Sequence, residues 1–311
     1  MSRGTGSLFL AVVTVAVSMF ALIGCGNGAA SAPSTPARSG ALQVVVAENF
    51  WGSIAKQEGG DRANVTSIVV NPNADPHAYE PTTADARLMA NAKYVVYNGA
   101  GYDPWAPKLL AANPVGGRRV LEVGKLIGKK EGDNPHMWYA PSYVARVAAQ
   151  ITTDYKRLDP PDAAYFERRH ANFMNVALKP YSAEISLISQ KYHGVPVSAT
   201  ESIFVYLAQT LKLNLITPPG FMKAMSEGTG PTAQDKSTFD HQIASKEIKV
   251  FVYNSQNATP DTNALEAKAK AQHIPVVPIT ETLQPAGATF QAWQTSQLRA
   301  LAAALHRATR R

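Results

Sequence analysis

The order of predicted elements points to an α/β fold of two lobes, each a mainly parallel sheet flanked by helices, joined by one long helix. Three observations carry this. Short apolar runs rich in β-branched residues alternate with stretches of helical spacing, which is the pattern of helices laid on parallel sheets. A single long helical stretch over 160–192 breaks that alternation, which then restarts. The chain has 311 residues, more than one small core needs on a soft prior of ~100–200 residues per domain. The expected lobes are 41–159 and 193–311.

The elements follow in order. Leu42–Ala47 (LQVVVA) is a continuous apolar run and reads as a strand buried on both faces. Phe50–Gln57 is a short helix that stops at Gly59-Gly60. Val65–Val70 is the second strand, and Pro72, Asp75, Pro76 and Pro81 make the next segment a loop. Thr83–Ala92 is helical, capped by Thr82 or Thr83, and Tyr94–Asn98 is a strand. Trp105–Ala112 is a helix and Arg119–Val123 a short strand. In Pro141–Leu158, Val144, Val147, Ala148, Ile151, Tyr155 and Leu158 recur at helical spacing, and Asp159-Pro160-Pro161 stops the helix. Pro161–Gln190 is the long joining helix, with Pro180 placed to kink or split it. In the second lobe, Val195–Ala199, Lys249–Asn254 and Ile274–Ile279 read as strands. Ser202–Leu211, Thr232–Lys246, Pro260–Gln272 and Thr289–Arg307 read as helices. No internal repeat of solenoid type is present.

Composition narrows the class. A hydrophobic fraction of 45% with 17% charged residues fits buried cores rather than a disordered chain. The net charge is +7. No Lys/Arg block with interleaved aromatics accompanies it, and the one basic cluster is the tail, Arg307, Arg310 and Arg311. Nucleic-acid binding is therefore not expected.

The first 40 residues read as address, anchor and leash. Arg3 precedes an apolar stretch over 7–23, and Leu22-Ile23-Gly24-Cys25 follows. A short basic region, an apolar region and small residues at the processing point make 1–24 a signal peptide. LIGC resembles the bacterial lipoprotein signal, which implies lipidation of Cys25, the only cysteine in the chain. Residues 25–40, small, polar and Pro/Ser-rich, form a flexible tether. The expected location is the extracytoplasmic face of the cell membrane.

Four places put a candidate metal ligand in a loop or just past a strand, where open α/β sheets bind ligands. Asp75-Pro76-His77-Ala78-Tyr79-Glu80-Pro81 flanks a histidine with prolines, which stiffens its backbone. Asp133-Asn134-Pro135-His136-Met137-Trp138 again sets Pro before His. Glu201 stands at a strand-to-helix turn of the second lobe, and Glu281 at the end of the last strand. Two imidazoles and two carboxylates make a mixed N/O site that suits Mn²⁺ and also accepts Zn²⁺. Taken singly, each residue has a plainer reading. A loop His is commonly hydrogen-bonded surface, Glu201 could offset a helix dipole, and Glu281 could be a solvated loop carboxylate. His170, His193, His241, His273 and His306, on helices or at their ends, read as structural or surface residues.

The four motifs in this order resemble the metal-binding receptors of zinc and manganese ABC importers, the cluster A-I or TroA-like solute-binding proteins. DPHAYEP looks like that family's first-ligand loop, NPHMW its second, and TESIFVYLAQTLKL its third. Met225–Asp235 (MSEGTGPTAQD) is similar to the segment that opens its next helix, and Pro161–Gln190 to its joining helix. The resemblance implies His77, His136, Glu201 and Glu281 as ligands to a transported ion, a membrane permease as partner, and a monomeric receptor rather than an enzyme. Two departures stand out. The family's fourth ligand is usually Asp, and Glu281 is one methylene longer. The His-rich acidic loop of many zinc members is missing, which with a Glu third ligand is closer to the manganese branch, although N/O sites generally hold zinc more tightly. A metallohydrolase and a metal-dependent surface adhesin are the competing readings. No HExxH motif supports the first. A joining helix, in place of paired strands, predicts small local motion on loading.

Overall fold

The computed structural model describes residues 40–71 and 79–311. Cys25 and the expected signal segment lie outside the described residues, as do all of the expected tether but Gly40 and the 72–78 segment that holds His77.

The first lobe runs β1 (Leu42–Glu48), α1 (Asn49–Gly59), β2 (Ala63–Val69), α2 (Thr83–Asn91), β3 (Tyr94–Tyr97), α3 (Trp105–Ala112), β4 (Arg119–Glu122), α4 (Val123–Ile127) and α5 (Pro141–Leu158). Its four strands are all parallel in the order β2-β1-β3-β4, with Leu42 opposite Ala63 and Val44 opposite Tyr94. Alternation along β1 sorts its side chains to two faces. Val44 and Val46 join the main core beneath α1 and α5, while Val45 and Ala47 join a smaller cluster with Met89 and Trp105 of α2 and α3. Both faces are covered, so the run Val44–Ala47 at the centre of the strand is wholly apolar, as a parallel sheet requires. Gly52 lets α1 close on the sheet, because a Cβ there would meet Ser67 Oγ at 2.0 Å.

Two helices join the lobes, α6 (Ala163–Asn172) and α7 (Lys179–Lys191), linked by a π-type turn over Phe173–Ala177. The expected split at Pro180 is present, taken up as a widening just before the proline, with Leu178 N donating to Phe173 O, five residues back, at 2.9 Å. Pro180 has no N–H, and its ring would crowd the carbonyl four residues earlier; the wide turn takes up that misfit.

The second lobe runs β5 (Pro196–Ala199), α8 (Val205–Thr210), β6 (Asn214–Leu215), α9 (Pro219–Ser226), α10 (Ala233–Ala244), β7 (Val250–Asn254), α11 (Pro260–Ala271), β8 (Val276–Ile279) and α12 (Phe290–Thr309). Its parallel order, β6-β5-β7-β8, repeats the arrangement of the first lobe. The helix expected over Ser202–Leu211 opens as a 3₁₀ turn, Ser202–Phe204, before α8 begins. A third cluster, with Phe221, Phe239, Phe251 and Leu265, covers the outer face of this sheet.

The main apolar cluster runs on from one lobe into the other. Phe50, Trp138 and Tyr139 share it with Ile203, Phe204 and Trp293, and the Tyr139 and Trp293 rings meet edge to face at 6.0 Å. Polar bonds stitch the same seam. Tyr139 donates to Thr280 O at 2.7 Å, Leu283 N to Asn49 Oδ1 at 3.2 Å, and Phe290 N to Ser53 Oγ at 2.9 Å.

Candidate metal centre

In each sheet the chain winds to one side of the first strand and then to the other. This leaves a crevice past the carboxyl ends of β1 and β3, and another past β5 and β7, the places where such sheets take ligands. Buried asparagines occupy corresponding positions in the two lobes: Asn98 just after β3 and Asn254 at the end of β7.

Asn254 gathers the two carboxylates of the second lobe. Its Nδ2 donates to Glu281 Oε1 at 2.7 Å and to Glu201 Oε2 at 3.1 Å. Both glutamates are buried, at 1% exposure for Glu201 and 4% for Glu281. The plainer readings of these residues therefore fail. Glu201 makes no cap hydrogen bond to the 3₁₀ turn it precedes, and Glu281 is not a solvated loop residue. Gln256 fixes the backbone at Glu281, its Oε1 accepting from Glu281 N at 2.6 Å and Thr282 N at 2.9 Å.

His136 comes from the loop between α4 and α5 and is fully buried. Asn98 anchors that loop, accepting from Trp51 Nε1 at 2.9 Å and donating to Pro135 O at 3.0 Å. Asn134 sets the tautomer of the imidazole. Its Nδ2 donates to Ser202 O at 2.7 Å, so its Oδ1 is the atom that faces His136 Nδ1, at 2.8 Å. Nδ1 must then carry the proton, and the lone pair falls on Nε2, the form a metal ligand takes. Because Ser202 follows Glu201, one amide ties the histidine to the carboxylate-bearing turn of the other lobe.

Tyr102, in the turn after β3, makes a second tie. Its hydroxyl donates to Glu281 Oε2 at 2.7 Å, and its ring meets the His136 ring edge to face at 6.1 Å. Burial first, and then the charge of Glu281, push this phenol well above its ordinary value, so it stays a donor. Beneath it lie two more buried acids, Glu48 at the end of β1 and Asp103. Asp103 accepts from Asn98 N at 2.6 Å and Gly99 N at 2.8 Å. Burial, and then neighbouring Asp103, hold the Glu48 carboxyl well above the usual range.

Of the four expected ligands, the structure links Glu201 and Glu281 through one amide and brings His136 to both through Asn134 and Tyr102. His77 lies outside the described residues. Among the described residues alone, no group of three or more His, Cys, Asp or Glu side chains able to hold an ion is assembled. The chain leaves the undescribed segment on a firm footing. Tyr79 donates to Asp85 Oδ2 at 2.9 Å, and Thr82 and Asp85 form a capping box at the start of α2. Sequence reasoning missed Asn254, Tyr102 and Gln256. Position past a strand end was the one signal available for Asn254.

Known proteins resemble this chain along most of its length. The family model described as zinc-uptake complex component A, periplasmic (ZnuA), matches residues 44–304. The metal ABC transporter substrate-binding lipoprotein FimA of Streptococcus parasanguinis is 25% identical over 281 residues, covering 83% of this chain and 84% of that protein. The high-affinity zinc uptake system protein ZnuA of Bacillus subtilis is 21% identical over 285 residues, covering 83% and 85%. Among solved structures, a Mn-bound periplasmic metal binding protein from Candidatus Liberibacter asiaticus superposes with a TM-score of 0.70 at 19% identity, covering 84% of this chain and 98% of that one.

Proposed function

The chain belongs to the ZnuA family of zinc-uptake components, and from that premise we propose that it is an extracytoplasmic solute-binding protein. It captures Mn²⁺ or Zn²⁺ and delivers the ion to the membrane permease of an ABC importer. His77 and His136 of the first lobe and Glu201 and Glu281 of the second are the ligands in this reading. Cys25 carries the lipid that holds the protein at the membrane.

The observation that carries the reading is the convergence on Asn254. Two buried carboxylates that would repel each other are held together by a neutral amide, an arrangement that costs free energy until a cation joins them. His136 presents imidazole nitrogen from the opposite lobe, which completes the donor chemistry of a mixed N/O site. The Asn254 amide and the Tyr102 phenol both donate to the carboxylates. Neither is a base at neutral pH, which favours holding an ion over driving a reaction on it.

Elemental analysis and calorimetric titration of His136→Ala and Glu281→Ala test the assignment. Each variant is expected to lose roughly a hundredfold or more in affinity for both ions while keeping its fold by circular dichroism. Undiminished loading in both variants would remove the site.

A further inference from the structure

The geometry points to Tyr102 as a positioning residue that limits Glu281 to giving one oxygen to a bound ion, and so sets the balance between zinc and manganese. The inference rests on the metal-capture reading above, with Glu281 as a ligand.

The Tyr102 ring is fully buried and fixed by first-lobe aromatics. It meets Trp138 edge to face at 5.0 Å and Phe50 at 6.1 Å, and the His136 ring stands at 6.1 Å. The hydroxyl is therefore placed by one lobe while its acceptor, Glu281 Oε2 at 2.7 Å, belongs to the other. The second oxygen of that carboxylate, Oε1, accepts from Asn254 at 2.7 Å, and Gln256 accepts from the Glu281 backbone at 2.6 Å. Glu281 is thus gripped at both oxygens and at its main chain.

A carboxylate that chelates an ion must turn both oxygens toward it. Two donors on different elements, one per oxygen, oppose that turn and leave the carboxylate to offer one atom. Zinc is satisfied by four tetrahedral ligands. Manganese prefers more oxygens in a larger shell. A pinned Glu281 keeps the coordination number low and penalises manganese relative to zinc. The extra methylene of a glutamate makes the point sharper, because a longer arm would otherwise swing easily onto the ion.

Tyr102→Phe removes one hydroxyl and keeps the ring. We expect it to lower zinc affinity by about tenfold, the lower end of what outer partners of metal ligands contribute. Manganese affinity falls less, so that the manganese-to-zinc ratio rises by about threefold or more. Competition titrations of both ions on the full chain read the ratio, and thermal unfolding of the metal-free variant checks the fold. Should Tyr102→Phe not be recovered folded, Asn254→Ala releases the other oxygen and carries the same expectation. Equal losses for the two ions, no change, or a shift toward zinc would overturn the inference. Run beside His136→Ala and Glu281→Ala, the experiment separates two failures. If those variants still load, the metal site itself is wrong and Tyr102 falls with it. If they lose the ion and the ratio stays fixed, only the role of Tyr102 is wrong.

Discussion

Glu48 and Asp103 are both buried, yet one proton decides what they cost. Burial raises both carboxyls, but Asp103 is drawn back toward its ionised form by Glu48 and by the backbone amides of Gly99 and Asn98, while Glu48 has burial and that neighbouring charge against it. The proton therefore stays on Glu48. Its folded value lies above the unfolded one, so the native state keeps a proton that the unfolded chain has already lost. Stability is then greatest below the ordinary carboxyl value of ~4.3 and declines as pH rises through the raised one. Glu48→Gln mimics the protonated acid, and it should lose less stability than the parent between pH 5 and pH 8 by urea unfolding. Parallel declines would show that the acid is ionised in the fold. At this scale the buried positions of His136, Glu201 and Glu281 are the legible part, because the proline before His136 and the strand ends before Glu201 and Glu281 mark them locally, while His77 lies outside the described residues. Their supports were not legible. Tyr102 meets Glu281 across 179 residues and Asn254 meets Glu201 across 53, and no local pattern encodes a partner so distant.

At the scale of elements, α2 matters more than its nine residues indicate. Thr82 accepts from Asp85 N, while Asp85 accepts from Thr82 N, Thr82 Oγ1 and Tyr79. Burial and the Asp85 carboxylate push the Tyr79 phenol up to about 12, so it remains a donor. Asp85→Ala should cost about 1–2 kcal/mol in urea unfolding by loss of the cap. It should also weaken metal binding, because this knot ties down the exit of the segment carrying His77. A stability loss with metal affinity untouched would detach the cap from the site. Helices with long periodic faces, α5 and α12, were legible for the reason that periodicity accumulates with length. The two-residue β6 and the five-residue α4 offer too little of it, and Pro218-Pro219-Gly220 disguises the start of α9 as a turn.

For the whole molecule, the alternation of strands and helices made the two lobes legible, but the shared strand order was not, since which strands become neighbours is settled by packing. The continuous apolar seam between the lobes, with Tyr139 against Trp293, opposes hinge opening, which would expose buried aromatic surface. Solution scattering of metal-free and loaded protein should accordingly differ by less than about 1 Å in radius of gyration. A larger difference would show that the seam parts. The joining segment has a further consequence. A regular helix turns ~100° per residue, and the widened stretch at Phe173–Ala177 holds one residue more than regular winding needs. That extra residue could be cut with the phase kept, whereas cutting one from the regular turns of α6 would rotate everything beyond it by about 100°. Tyr181, set against Phe290, and Glu184, paired with Arg299 at 2.9 Å, would then face the wrong way. Like a camshaft, this rod keeps two halves in phase by its count of residues, so a shortening by one in a regular turn would be felt far from the cut.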